Sequence, residues 1–82
     1  MTFEQFKEYY CQEVIPHKPP YIRKGQALFN LLSMKWPAEA DRIIEAKMSG
    51  DKEMEQIDCF AVDSRISNTL DHLEKVWFNY PN

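Results

Sequence analysis

Apolar residues near the C-terminal end of the chain recur at the spacing of an α-helix. Ile66, Leu70, Leu73 and Trp77 share one face, while the positions between them are mostly polar or charged. The rest of the chain needs no strand to explain its pattern. With 82 residues there is room for one domain with a small core. The sequence therefore predicts an all-α fold, a compact single domain over residues 1–82 with three to four helices.

Capping and helix-breaking residues set the expected limits of the first two helices. Thr2 followed by Gln5 is a capping-box pattern that begins the first helix. Pro16, with prolines at 19 and 20, is expected to end it and to hold residues 17 and 18 in an extended connection. The second helix is predicted from residue 21 or 22 to Met34. Gly25 inside it costs about 1 kcal/mol relative to alanine, and close helix packing is the interpretation that explains it.

The second half of the chain is predicted to hold two helices around an irregular segment. Pro37 stands at the first position of the third helix, where its missing N–H is harmless, and Ser49-Gly50 ends that helix. Residues 51–56 are polar and lack apolar periodicity, so they are the expected mobile part of an irregular segment over 51–62. Asp63 or Ser64 is then expected to cap the last helix.

Charge and hydropathy exclude several classes of protein. The formal net charge is −3, from 13 acidic and 10 basic residues. Such a charge keeps a protein soluble and disfavours nucleic acid as a partner. No apolar run approaches the roughly 18–20 residues that cross a membrane, and the N-terminus lacks the basic start and apolar centre of a signal peptide. We expect a cytoplasmic protein with no membrane partner.

Four residues have the chemistry of zinc ligands, namely Cys11, His17, Cys59 and His72. They lack the close Cys-x-x-Cys or His-x-x-x-His pairs that zinc sites use, and reduced cysteines commonly pack as small apolar residues. The chain also has no nucleophile elbow, phosphate-binding loop or glycine-rich turn. We therefore predict no metal, no cofactor and no catalytic residue, and a protein that is not an enzyme.

A stripe of polar residues crosses the otherwise apolar second helix. Arg23, Gln26 and Asn30 follow the spacing i, i+3, i+7 and so share one narrow face. If that face is buried it needs polar partners, because unpaired buried charges and amides are costly. Asp58 and Asp63 are the natural acceptors, with Arg23 in a bidentate pair. The main hypothesis is a structural polar network of these five residues, and the alternatives are a partner-binding surface and a solvated edge.

Aromatic residues exceed what so small a core has to bury, and aromatic side chains left at a surface are typical anchors of protein interfaces. Trp36 and Trp77 as core residues with Tyr80 at a frayed end are the alternative interpretation. Self-association through residues 77–80 is another use of the same surface. The possible partner-binding residues are Tyr9, Tyr21, Trp36, Trp77, Phe78 and Tyr80.

The two polar segments also carry a resemblance to a family. The pattern Arg-x-Gly-Gln-Ala-x-x-Asn-x-Leu from Arg23, then Pro37, then Asp-Cys-Phe from Asp58 and an aspartate at 63, resembles small uncharacterised proteins encoded by bacteriophages and other mobile elements. It spans residues 22–73, and Ala61 stands where the family often has a larger polar or aromatic residue. The resemblance implies a phage or prophage context and no particular activity.

Together these features favour a small protein-binding module, phage- or prophage-encoded, whose partner is a host or phage protein. The alternative is a small helix-turn-helix-like regulator associated with nucleic acid, because two helices meet at residues 35–37. In that arrangement Glu39 and Asp41 would lie where phosphates bind, and the basic residues Lys18, Arg23 and Lys24 would lie elsewhere. Protein binding is therefore the favoured function.

Overall fold

The computed structural model describes residues 1–81, which form five α-helices and no β-strand. Helix α1 consists of Phe3–Tyr9, a π-helical turn at Tyr10–Val14 and a last α turn at Ile15–His17. The others are α2 (Lys24–Lys35), α3 (Pro37–Met48), α4 (Lys52–Glu55) and α5 (Ile66–Val76), with short 3-10 turns at Asp63–Arg65 and Trp77–Asn79 on either side of α5. The prediction of an all-α single domain is confirmed, with one short helix more than expected.

Helix α1 continues through the proline that was expected to end it. The Thr2 capping box is present, and α1 ends at His17. In the π turn the Ile15 N–H donates to the carbonyl of Tyr10, five residues back, so the hydrogen-bond register changes before Pro16. The His17 ring donates through Nδ1 to the Glu13 carbonyl at 2.8 Å. The prediction that Pro16 ends the helix and leaves His17 extended is therefore wrong.

Helix α2 begins two to three residues later than predicted. Prolines 19 and 20 keep the chain in a turn, in which the Ile22 N–H donates to the Pro19 carbonyl at 3.1 Å. Arg23 is extended and occupies the N-cap position of α2. Trp36 alone separates α2 from α3, and Pro37 begins α3 as predicted.

The segment after α3 is more regular than the sequence indicated. Asp51 caps α4, because its Oδ1 accepts the N–H groups of Glu53 and Met54, each at 3.1 Å. The expectation of an irregular connection is wrong for residues 52–55, since a side-chain cap stabilises a helix too short to show apolar periodicity. Residues 56–62 form no regular element.

Side chains from the start of α5 hold the backbone that follows α4. Arg65 donates to the Glu55 carbonyl at 2.9 Å, Asn68 donates to the Gln56 carbonyl at 3.1 Å, and Thr69 donates to the Ile57 carbonyl. These bonds satisfy carbonyl groups that regular secondary structure would otherwise satisfy. They position residues 55–57 against α5.

An aromatic cluster around Trp77 forms one end of the core. The ring of Trp77 lies 5.1 Å from Phe6, 5.3 Å from Trp36 and 4.6 Å from Tyr80, on which it stacks. Trp36 and Trp77 are buried and Tyr80 is half-buried. As exposed partner-binding anchors Trp36 and Trp77 are therefore a wrong prediction, whereas Tyr80 keeps part of its side chain exposed. The Trp77 indole also donates to the Met1 carbonyl at 3.0 Å.

Candidate functional site

The irregular segment docks on the first turn of α2. The first N–H groups of a helix have no partner within it, and Arg23 at the N-cap has no side-chain acceptor to offer. Asp63, 38 residues further on, supplies one: its Oδ1 accepts the Gly25 N–H at 3.0 Å. Asp63 therefore caps α2. The prediction that Asp63 or Ser64 caps the last helix is wrong, because Arg65 occupies the N-cap position of α5 and no side chain caps that helix.

Gly25 is required by the closeness of this contact. A Cβ atom at residue 25 would lie 2.3 Å from the backbone oxygen of Cys59 and 2.9 Å from Oδ1 of Asp63. The buried Cys59 thiol donates to the Gly25 carbonyl at 3.2 Å. The sequence indicated close packing of a helix at Gly25, whereas the structure places a loop there. We call Arg23, Gly25, Cys59, Phe60 and Asp63 the docking seam.

Arg23 and Asp63 meet in the docking seam, but not as a bidentate pair. Nε of Arg23 lies 3.9 Å from Oδ1 of Asp63, and both side chains are about half exposed. The shorter bond of Arg23 is the one from Nη2 to the Phe60 carbonyl at 2.9 Å. An exposed ion pair at that distance contributes little to stability. The backbone contacts of Gly25 therefore contribute most of the stability of the docking seam.

Asp58 has a different partner from the one predicted. Its buried carboxylate accepts from Nζ of Lys47, in the last turn of α3, at 2.9 Å, and from the Phe60 N–H at 2.9 Å. The predicted contact with Arg23 is absent from residues 1–81. The sequence identifies Lys47 as a basic residue near the end of α3. Nothing in the sequence indicates that this end of the helix packs against Asp58.

Gln26 and Asn30 do not belong to the network. Neither side chain makes a hydrogen bond within residues 1–81, and Asn30 is exposed. The face that they share is therefore the wet edge of α2, one of the alternatives that the sequence left open. Within the same part of the chain every buried side-chain nitrogen and oxygen has a hydrogen-bond partner.

A second polar cluster, which the sequence did not indicate, joins α3 to α5. Glu39 is buried, and Arg42 binds it in a bidentate pair at 2.7 and 3.0 Å. Nε2 of His72 lies 2.8 Å from the same carboxylate. Burial acts to raise the pKa of Glu39, but the hydrogen bonds from Arg42 and His72 outweigh it and hold that pKa below its ordinary value. The cluster is an ionic link between two helices.

Two more titratable side chains are buried near the start of α2. Tyr10 donates its hydroxyl proton to the Lys24 carbonyl at 2.7 Å, and burial raises the pKa of Tyr10 to about 12. Burial also raises the pKa of the Cys59 thiol. Both groups therefore stay protonated at neutral pH and act as hydrogen-bond donors to the backbone of α2.

The candidate anchors that remain at the surface are Tyr9, Tyr21 and Phe78. Tyr21 is 79% exposed and Phe78 is 84% exposed, while Tyr9 is less exposed and lies under the Lys35 ammonium, 5.5 Å from its ring centre. The structure also leaves exposed some large apolar side chains that the sequence did not indicate as anchors. These are Met1, Met34, Ile44, Met48 and Phe60.

An apolar groove runs between α1 and α2. It encloses about 330 Å³ and is open to solvent along its length. Among its lining residues Tyr9 and Met34 are exposed, whereas Val14 and Ile22 are half-buried and form its apolar floor. We call it the α1–α2 groove; its lining residues are Tyr9, Glu13, Val14, His17, Lys18, Pro19, Ile22, Ala27, Asn30, Leu31 and Met34.

A second recess lies on the opposite side of Asn30. It encloses about 360 Å³ beside the docking seam. Phe60 forms one wall and meets Phe29 edge to face at 6.2 Å. Asn30 is thus a polar ridge between two apolar depressions of the α2 surface. The recess is lined by Phe29, Asn30, Ser33, Ile44, Asp58 and Phe60.

The zinc-type residues lie in separate surroundings. His17 bonds to Glu13, His72 bonds to Glu39, Cys11 is exposed and Cys59 is buried. Residues 1–81 contain no group of three histidine, cysteine or acidic side chains placed to hold a metal ion. None of the helices in this part of the chain has the length and apolar character needed to cross a membrane.

Comparison of the chain with protein-family models, with curated proteins and with solved structures finds no match.

We predict that Asp58→Ala lowers the free energy of unfolding by about 2–3 kcal/mol, because it leaves the Phe60 N–H and the Lys47 ammonium without their acceptor. Arg23→Met should cost no more than about 1 kcal/mol, since the ion pair it removes is half exposed. Asp58→Asn, which retains one acceptor oxygen, should lie between them. Urea unfolding followed by circular dichroism measures all three. An Arg23→Met cost at least as large as that of Asp58→Ala would contradict the assigned contacts.

Glu39→Gln should change how stability depends on pH. Because the pKa of Glu39 is lower in the folded than in the unfolded chain, its stabilisation is complete above the unfolded value of about 4.3 and is lost as the pH falls through the folded value. The wild type should therefore exceed Glu39→Gln by about 1–2 kcal/mol near pH 7, and the difference should shrink below about pH 4. Urea titrations across this range measure it, with the exposed Glu45→Gln on the same helix as the control. A difference that stays constant with pH would refute the assignment.

Proposed function

We propose that this protein is a small non-enzymatic protein-binding module, encoded by a phage or prophage, which acts in the host cytoplasm on a host or phage protein. The observation that carries the proposal is the apolar α1–α2 groove. The resemblance of residues 22–73 to small phage-encoded proteins supports the genetic context.

The composition of the groove supports binding to a protein. An apolar depression edged by exposed aromatic and methionine side chains is typical of sites that take the apolar face of a partner. Tyr9 supplies an aromatic ring and Met34, which is 75% exposed, supplies an adaptable apolar side chain. Burial of these two side chains on binding contributes a favourable free energy, because both are exposed to water in the free protein.

The titratable groups with shifted pKa values support a role without catalysis. Glu39, Tyr10 and Cys59 each make a contact between parts of the fold: with Arg42 and His72, with the Lys24 carbonyl and with the Gly25 carbonyl. Their pKa shifts are accounted for by these structural contacts, although shifted values often mark functional sites.

A helix-turn-helix role has less support from the geometry. Two of the three clustered basic side chains are directed to the chain's own backbone: Lys18 donates to the Ile22 carbonyl at 2.7 Å, and Arg23 donates to the Phe60 carbonyl. Asp41, in the helix that would enter the groove of DNA, is exposed. Affinity for nucleic acid depends on basic groups that reach the phosphates.

Affinity capture from a lysate of the host bacterium, read by mass spectrometry, tests the proposal. Met34→Lys places a charge in the groove, and Met48→Lys on α3 is the matched control, since Met48 is 82% exposed and outside the groove. We expect a protein partner that Met34→Lys binds at least about tenfold more weakly, because a buried unpaired charge at an interface anchor costs more than about 1.4 kcal/mol, and that Met48→Lys retains.

Two results would contradict this function. One is that the wild type and both variants capture the same proteins in the same amounts. The other is that the wild type recovers salt-sensitive nucleic acid and no specific protein, which would favour the helix-turn-helix alternative.

A further inference from the structure

We infer that the occupant of the α1–α2 groove is an amphipathic helix with basic residues beside its apolar face. This inference rests on the proposed function and deepens it. It names the class of partner segment from the shape of the groove and from the charges along its edge.

The groove has the shape that accepts a third helix. Its α1 wall is formed by Tyr9, Glu13 and His17, and its α2 wall by Ala27, Leu31 and Met34. Each set repeats every three or four residues, so each wall is a ridge along its helix. Two such ridges with an apolar floor between them take a helix whose apolar residues recur at i, i+3 or i+4, and i+7.

The α1 edge of the groove is acidic. Glu13 lines the groove itself, and a polar recess of about 410 Å³ adjoins it along the outer face of α1. That recess shares Tyr9 and Glu13 with the groove and adds Glu8, together with the amides of Gln5 and Gln12. A partner helix in the groove would therefore lie with one flank against two carboxylates.

These carboxylates have no cationic side chain of their own chain against them. Glu8 makes no ion pair within residues 1–81. The ion-pair partner of Glu13 in this part of the chain is His17, whose Nδ1 lies 3.8 Å from the Glu13 carboxylate. That same Nδ1 already donates to the Glu13 backbone carbonyl at 2.8 Å. Both carboxylates are thus free to accept from lysine or arginine of a partner.

Two lysines near the groove make contacts within the chain itself: Lys18, which lines the groove, and Lys35, which lies beside Tyr9. Nζ of Lys18 donates to the Ile22 carbonyl at 2.7 Å, and Nζ of Lys35 lies over the ring of Tyr9. Neither ammonium is within ion-pair distance of a carboxylate in residues 1–81, and neither is directed at Glu8 or Glu13. Both ammonium groups keep their charge, so the negative charge that a partner meets is confined to the α1 edge, at Glu13 and at Glu8 in the adjoining recess.

Selection from a displayed library of random peptides tests this inference without assuming a sequence. Peptides of about 16 residues, ~24 Å as a helix, are selected on the wild-type protein and then sorted by their binding to Met34→Lys and Met48→Lys. We expect the peptides that Met34→Lys alone loses to carry apolar residues at helical spacing and a net positive charge relative to the unselected library.

The double variant Glu8→Gln/Glu13→Gln then measures the charge contribution. It should weaken those peptides by about three- to tenfold at low salt, the range expected for two exposed charge pairs, and less at high salt. Circular dichroism confirms that the exposed substitutions leave the fold intact.

The outcomes separate this inference from the proposed function. Met34-dependent peptides that are neutral or acidic, or that bind the double variant unchanged, would overturn the basic partner while leaving protein binding in place. Recovery of no Met34-dependent peptide would overturn the helix-in-groove model. The proposed function itself depends on the lysate capture, which is independent of any peptide.

Discussion

The hydrogen bond from the Gly25 amide to the Asp63 carboxylate determines how the irregular segment packs on the helices. An α-helix whose N-cap residue is an arginine cannot satisfy its own first amides from the N-cap side chain, because arginine has no acceptor atom. In α2 the missing acceptor comes from a loop 38 residues away, at 3.0 Å. The helix start and the loop are thereby fixed together.

Other parts of the fold follow from that contact. Once residues 58–63 lie against α2, the buried carboxylate of Asp58 reaches Lys47 and ties the end of α3 to the same loop. The residues on the other side of Asp58 are held by side chains of α5. A segment without regular structure thus joins α2, α3 and α5. Its contacts are mostly with backbone groups because its own backbone is not satisfied by regular secondary structure.

The helices could be predicted from the sequence because local rules specify them. The Thr2 capping box, Pro37 at a helix start and the apolar face of Ile66–Trp77 each act within a few residues. The expectation that Pro16 ends α1 is wrong because a π turn shifts the hydrogen-bond register before the proline. The expectation of an irregular connection at residues 52–55 is wrong because a side-chain cap, which does not appear as apolar periodicity, stabilises α4.

The polar contacts were only partly predictable. Spacing groups Arg23 with Gln26 and Asn30, but it cannot distinguish a buried seam from a wet edge. Of these three residues only Arg23 belongs to the docking seam, where it meets the expected acceptor Asp63. The partners Lys47 for Asp58 and His72 for Glu39 depend on how helices distant in sequence pack, which periodicity does not specify. Likewise, the indole of Trp36 lies in the core while Met34, two residues earlier, is exposed at the groove edge. Only tertiary packing determines which apolar side chains remain available to a partner.

The loop at Cys59 and Asp63 packs against Gly25, and the stability of Gly25→Ala tests this contact. We predict a loss of about 1–3 kcal/mol in the free energy of unfolding, because the new Cβ would overlap the Cys59 carbonyl. Ser33→Ala, at an exposed position of the same helix, reports the gain in helix propensity alone. If Gly25→Ala instead stabilises the protein by up to about 1 kcal/mol, as alanine does in an unobstructed helix, the loop does not pack against Gly25.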